Sequence, residues 1–211
     1  MLQPQYRGSR GYGQKFYQAA FVNGGQGGFL MQDDKDDGVS YLVKEGLTKA
    51  DNVAMFGWSY GGYAALVAAS RSPNAYQCVI AGAAVSDPEM QVDYYRYRLR
   101  GAGKLEQLSM WDDSVSPLLE VDKVNVPILL IHGDVDQRVP VEHAEKYLKA
   151  LEKAEKQHTY VELEGADHFS NTLFYDHKLL LYTSMLNYLS KECGLEGGKK
   201  PVADVVVADA E

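Results

Sequence analysis

The sequence predicts an α/β fold, a mostly parallel sheet flanked by helices, and three observations carry that expectation. Short apolar runs recur along the chain, segments of helical period stand between them, and residues 53–71 read as strand, tight turn and helix in immediate succession. Strands that alternate with helices imply crossover connections and therefore parallel neighbours. At 211 residues with 45% hydrophobic content, the chain buries one sizeable core and needs no division into several domains. No internal repeat is present.

Leu2 to Tyr6 reads as a short extended stretch, the end of a strand, and the glycine-rich run Arg7 to Gly13 as a loop. Asp33 to Gly46 carries an acidic first turn before Val39, Tyr41, Leu42 and Val43, a polarity that suits a helix N-terminus. Val53 to Trp58, bounded by Asp51-Asn52 and Gly57, is a strand, and the alanine-rich Tyr63 to Arg71, closing before Pro73, is a helix. Cys78 to Val85, Ile128 to His132 and Thr159 to Leu163 are too short for helices and read as strands buried on both faces. Val141 to Lys156 and Leu173 to Lys191 have helical periodicity, with Ala144, Tyr147, Leu148 and Leu151 spaced by three and four. Between these, Asp87 to Leu119 is aromatic and without a clear period, which predicts a cap or lid over the C-terminal strand ends. The expected catalytic domain is 1–193, with a disordered tail over 194–211.

Composition narrows the function classes. The formal charge of −8 opposes nucleic acid and anionic membrane as partners, and Lys and Arg form no dense cluster. No run of eighteen apolar residues occurs, and Met1 to Arg10 lacks the basic-then-apolar pattern of a secretory signal. The chain reads as soluble, with the cytoplasm the favoured compartment and a periplasmic or secreted one open if a parent chain carried a signal. Cys78 in an apolar run and Cys193 near a helix end are too few and too differently placed for a disulfide framework, so both are expected as reduced thiols. A thiol enzyme centred on Cys78 is disfavoured, since buried thiols are usually inert.

The sharpest motif is Gly57-Trp58-Ser59-Tyr60-Gly61-Gly62, because it lies between a strand and a helix, the context of a nucleophile elbow. Such a turn needs small residues two before and two after the serine, here Gly57 and Gly61, so that backbones approach while the serine is strained. The hydroxyl then stands at a helix N-terminus, where the Tyr60 N–H faces a developing oxyanion. A serine needs a base, and the partners follow in the order Ser, Asp, His. The loop after the strand at 128 offers Asp134 and Asp136, which composition alone does not rank. The loop after the strand at 159 offers His168 as base. His143, His158 and His177 fall in helix or strand patterns and read as exposed or packing residues, whereas His132, at a strand end beside the acid loop, is the nearest rival base and reads rather as hydrogen-bonded to the loop backbone. Three matches at strand ends define an α/β-hydrolase whose chemistry requires no metal or organic cofactor.

At these residues the chain resembles the prolyl oligopeptidase family of serine peptidases, in particular its acylaminoacyl-peptidase and dipeptidyl-peptidase-like branches. Gln5-Tyr6-Arg7-Gly8-Ser9-Arg10-Gly11-Tyr12-Gly13 is similar to a Tyr-Arg-Gly-Ser-x-Gly-Tyr-Gly segment of that family, and Gly57 to Tyr63 to its Gly-x-Ser-Tyr-Gly-Gly-Tyr. His132-Gly133 with Asp136 and Val139-Pro140, then Asp167-His168, extend the likeness over Leu2 to Leu189. The resemblance implies Ser59 as nucleophile, Asp136 rather than Asp134 as orienting acid, His168 as base and the Tyr60 N–H as oxyanion donor. It also implies cleavage of short peptides through an acyl-enzyme. Tyr6 and Tyr12 are expected to pack the loop. Members of that family carry an N-terminal β-propeller and begin the hydrolase domain with strands and a loop that completes the oxyanion hole; these have no counterpart in this sequence, so the chain is expected to be truncated at its N-terminus, to pair with another copy, or to receive that segment from another chain. An esterase with the same triad and a non-catalytic fragment are the alternative readings.

Overall fold

The structure, a computed structural model, describes residues 1–21, 27–101, 103–109, 111, 114–169 and 171–195. Among them, β1 (Ala54–Trp58), β2 (Cys78–Gly82), β3 (Ile128–Gly133) and β4 (His158–Leu163) form one sheet in the order β1-β2-β3-β4, each neighbouring pair parallel. The helices are α1 (Gln14–Gln18), α2 (Leu30–Lys44), α3 (Tyr60–Ser70), α4 (Pro88–Arg96), α5 (Lys104–Ser109), α6 (Glu142–Lys153) and α7 (Tyr175–Lys191). This is the expected α/β architecture.

Side chains that alternate along a strand serve two cores. Val79 and Ala81 of β2 with Ile128 and Leu130 of β3 meet Ala65, Leu66 and Ala69 of α3 and Ala144, Tyr147 and Leu151 of α6. On the opposite face, Cys78, Ile80, Leu129 and Ile131 meet Leu181 and Tyr188 of α7. The expected burial on both faces holds for β2 and β3. It fails for β4, which flanks the described sheet and is only partly covered, as is β1 at the other edge, Phe56 being 49% exposed.

Three other expectations are corrected. Leu2 to Tyr6 forms no strand; Pro4 has no N–H for a ladder, and Leu2 and Pro4 lie instead over Gly38 of α2. Within Asp87 to Leu119, two helices stand where no period was visible. The tail lies outside the described residues from 196 onward.

The third correction is chemical: Cys78 and Cys193 are joined by a disulfide, with Cα atoms 5.3 Å apart across 115 residues of sequence. The fold brings them together because β2 begins directly beneath the C-terminal end of α7, where both cysteines are buried in one core. Closing a loop of this length restricts the unfolded chain, a contribution of about 2–5 kcal/mol. Urea unfolding with and without a thiol reductant is expected to show a loss of that size, and Cys193→Ser the same loss without reductant. Equal midpoints in all three would mean that the thiols are unpaired.

Candidate active site

β1 passes into α3 through one residue. Ser59 has φ 61° and ψ −118°, a conformation that costs a non-glycine residue about 1–3 kcal/mol. It is held from both sides: the Ser59 N–H donates to the Gly82 carbonyl at 2.8 Å, and the Tyr63 N–H donates to the Ser59 carbonyl at 3.0 Å. A Cβ on Gly57 would stand 2.0 Å from the Gly61 carbonyl oxygen, and one on Gly62 would stand 2.4 Å from the Gly82 carbonyl oxygen. A Cβ on Gly61 would meet nothing within 4 Å. The steric demand therefore falls on Gly57 and Gly62, not on Gly57 and Gly61. Tyr60 opens α3, so its N–H is among the first-turn amides that have no partner within the helix.

His168 Nε2 lies 2.8 Å from Ser59 Oγ, and His168 Nδ1 lies 2.7 Å from Asp136 Oδ2. A carboxylate can only accept, so the proton between Asp136 and His168 sits on Nδ1 and leaves Nε2 free to accept from the serine. Asp136 and His168 are buried, 4% and 6% exposed. The second oxygen of Asp136, Oδ1, accepts from the Arg138 N–H at 2.7 Å and the Val139 N–H at 2.8 Å. Burial alone would raise this carboxyl, but the hydrogen bonds from His168, Val139 and Arg138 outweigh it and hold the group below the usual carboxylate range. The three sequence-predicted side chains thus meet in one hydrogen-bonded line.

A model of the prolyl oligopeptidase family matches residues 1–196. The chain belongs to the prolyl oligopeptidase family. Dipeptidyl aminopeptidase BIII of Pseudoxanthomonas mexicana is 30% identical over 173 residues, 76% of this chain and 24% of that protein. Human prolyl endopeptidase FAP is 29% identical over 167 residues, 79% of this chain and 21% of that protein. Among solved structures, the acylaminoacyl peptidase of Pyrococcus horikoshii superposes with a TM-score of 0.73 at 20% identity, over 92% of this chain and 32% of that one. The chain spans about a quarter of the length of the dipeptidyl aminopeptidase BIII and prolyl endopeptidase FAP relatives. Among the described residues, no helix is long and apolar enough to cross a membrane.

Around these three side chains, neighbouring acids and histidines hold loops together. Asp134 Oδ1 accepts from the Gly165 N–H at 2.6 Å, and Asp167 Oδ1 accepts from the Gln137 N–H at 3.3 Å, so each ties the acid loop to the histidine loop. His132 is fully buried and donates from Nε2 to the Val139 carbonyl at 2.8 Å, the backbone role read from the sequence. Burial lowers its pKa, and the proton it keeps is the one it donates. His158 Nδ1 meets the Lys156 carbonyl, and His177 Nε2 donates to the Glu164 carbonyl. His143 is fully buried and bonded to Gln91. Sequence reasoning missed Trp58, whose Nε1 donates to the His168 carbonyl at 2.8 Å and whose ring fills the space a Cβ on Gly82 would need. The only signal was its place inside the elbow. Tyr6 packs against Tyr60 at a 6.0 Å ring separation, and Tyr60 and Tyr63 pack against Trp111.

Proposed function

We propose that this chain is the catalytic part of a serine peptidase that cleaves short peptides through an acyl-enzyme on Ser59. The observation that carries this reading is the unbroken line Asp136–His168–Ser59, with contacts of 2.7 and 2.8 Å. Ser59 Oγ attacks the scissile carbonyl carbon while its proton passes to His168 Nε2. The carbonyl oxygen takes the electron pair and faces the Tyr60 N–H and the positive end of α3. His168 returns the proton to the departing amine, leaving an ester on Ser59. Water then attacks that ester, gives its proton to His168, and Ser59 leaves with the proton back on Oγ. Asp136 fixes the imidazole tautomer and stabilises the charged form. Peptide substrates are favoured over simple esters by the peptidases named among its relatives.

The test is covalent labelling with a fluorophosphonate followed by mass spectrometry of the adduct, then turnover of N-terminally free and blocked dipeptide amides beside a p-nitrophenyl ester. The expected result is a single adduct on Ser59 and turnover of at least one amide. A folded chain without an adduct overturns the reading, and turnover of the ester alone moves it to an esterase.

A further inference from the structure

Two peptide groups separate the Asp136 carboxylate from α4. Their N–H ends are those of Arg138 and Val139, which donate to Asp136 Oδ1. Their carbonyl ends, on Gln137 and Arg138, accept from the Tyr94 hydroxyl at 2.9 Å and from Gln91 Nε2 at 2.9 Å. Both donors stand on α4, three residues apart and on one helix face. A planar peptide held at both ends cannot rotate. Hydrogen bonds in a chain also polarise one another, so donation to the carbonyl strengthens the N–H at the other end.

Gln91 is itself fixed. The Arg138 carbonyl requires the amide nitrogen, so Gln91 Oε1 faces His143 Nε2 at 2.9 Å, and His143 Nδ1 accepts from the Ser86 N–H at 3.2 Å. His143 is fully buried, and burial pushes its pKa down to about 3, which keeps the ring neutral with its one proton on Nε2. Every hydrogen bond in this line is directed toward Asp136: Ser86 to His143 to Gln91 to the 138–139 peptide on one side, Ser59 to His168 on the other.

We infer that Gln91 and Tyr94 are positioning residues for the catalytic acid, through which α4 sets the orientation of Asp136 and His168. The inference rests on the proposed triad. α4 then holds the two peptides on whose amides the carboxylate rests.

The test uses the whole chain with Gln91→Leu, which keeps the side-chain bulk and removes the amide, and Tyr94→Phe, which removes one partly exposed hydroxyl and leaves the helix packing. Expected are a fall in kcat of about 10-fold for the first and about 3-fold for the second, with KM within about two-fold. In an Asp136→Ala background neither substitution is expected to lower kcat further. Proton spectra give a readout independent of turnover: the downfield His168 Nδ1–H resonance should move or broaden in Tyr94→Phe, which serves if Gln91→Leu does not fold. If Asp136→Ala alone leaves kcat unchanged, the triad falls and the positioning role with it. If Asp136→Ala is severe but the α4 substitutions act equally with and without it, or the resonance stays unmoved, this inference alone is overturned.

Discussion

Ser59→Ala is expected to lower hydrolysis by about 10⁶-fold and to abolish fluorophosphonate labelling, while the chain unfolds at nearly the same urea concentration. Among the described residues the hydroxyl makes one hydrogen bond, to His168 Nε2, at a partly exposed position, so its removal costs about 1 kcal/mol or less. Alanine keeps the Cβ, and with it the strain of φ 61°. Ser59→Gly separates the two properties. Glycine enters that region freely, so the glycine variant should be as inactive as alanine yet about 1 kcal/mol more stable than it. Turnover of a dipeptide amide and urea unfolding of all three proteins decide the matter. Retained turnover in a clean preparation of either variant would remove Ser59 from the chemistry. A glycine variant less stable than alanine would mean that the elbow is not strained.

How much of this was legible in the sequence depended on what each residue faces. β2 and β3 were visible because both faces are buried, which turns Cys78–Gly82 and Ile128–Gly133 into continuous apolar runs. The elbow and the histidine loop were visible because tight connections at strand ends demand glycine. α4 was missed although Asp87-Pro88-Glu89 spells a helix start: Asp87 caps the Glu89 N–H at 3.1 Å and proline occupies the first turn. Its inward face presents Gln91 to His143, and a helix that buries a polar face leaves no apolar period to read. The bridge between Cys78 and Cys193 was invisible for another reason. Its partners are 115 residues apart, and only the docking of α7 on the sheet makes them neighbours.

The two loop acids show the same limit and give the second large effect. Asp136→Asn is expected to cost about 10⁴-fold in kcat, and Asp134→Asn less than about 10-fold. Composition cannot rank them, but the loop turns one inward and the other sideways. Asp136 accepts from the amides two and three residues ahead, an Asx-turn that points its other oxygen at His168 Nδ1. An asparagine there satisfies the Arg138 and Val139 amides with its carbonyl oxygen and is left presenting NH₂ to Nδ1. The imidazole must then accept on Nδ1 and carry its proton on Nε2, where it faces Ser59 Oγ and can no longer take the serine's proton. The geometry survives and the tautomer does not. Asp134 accepts from the Gly165 N–H through Oδ1, a bond that an asparagine oxygen accepts equally well, so the contact between the acid and histidine loops is kept. Steady-state kcat for the two variants, with thermal unfolding to show that both fold, distinguishes them; a larger loss in Asp134→Asn would reassign the orienting acid to Asp134.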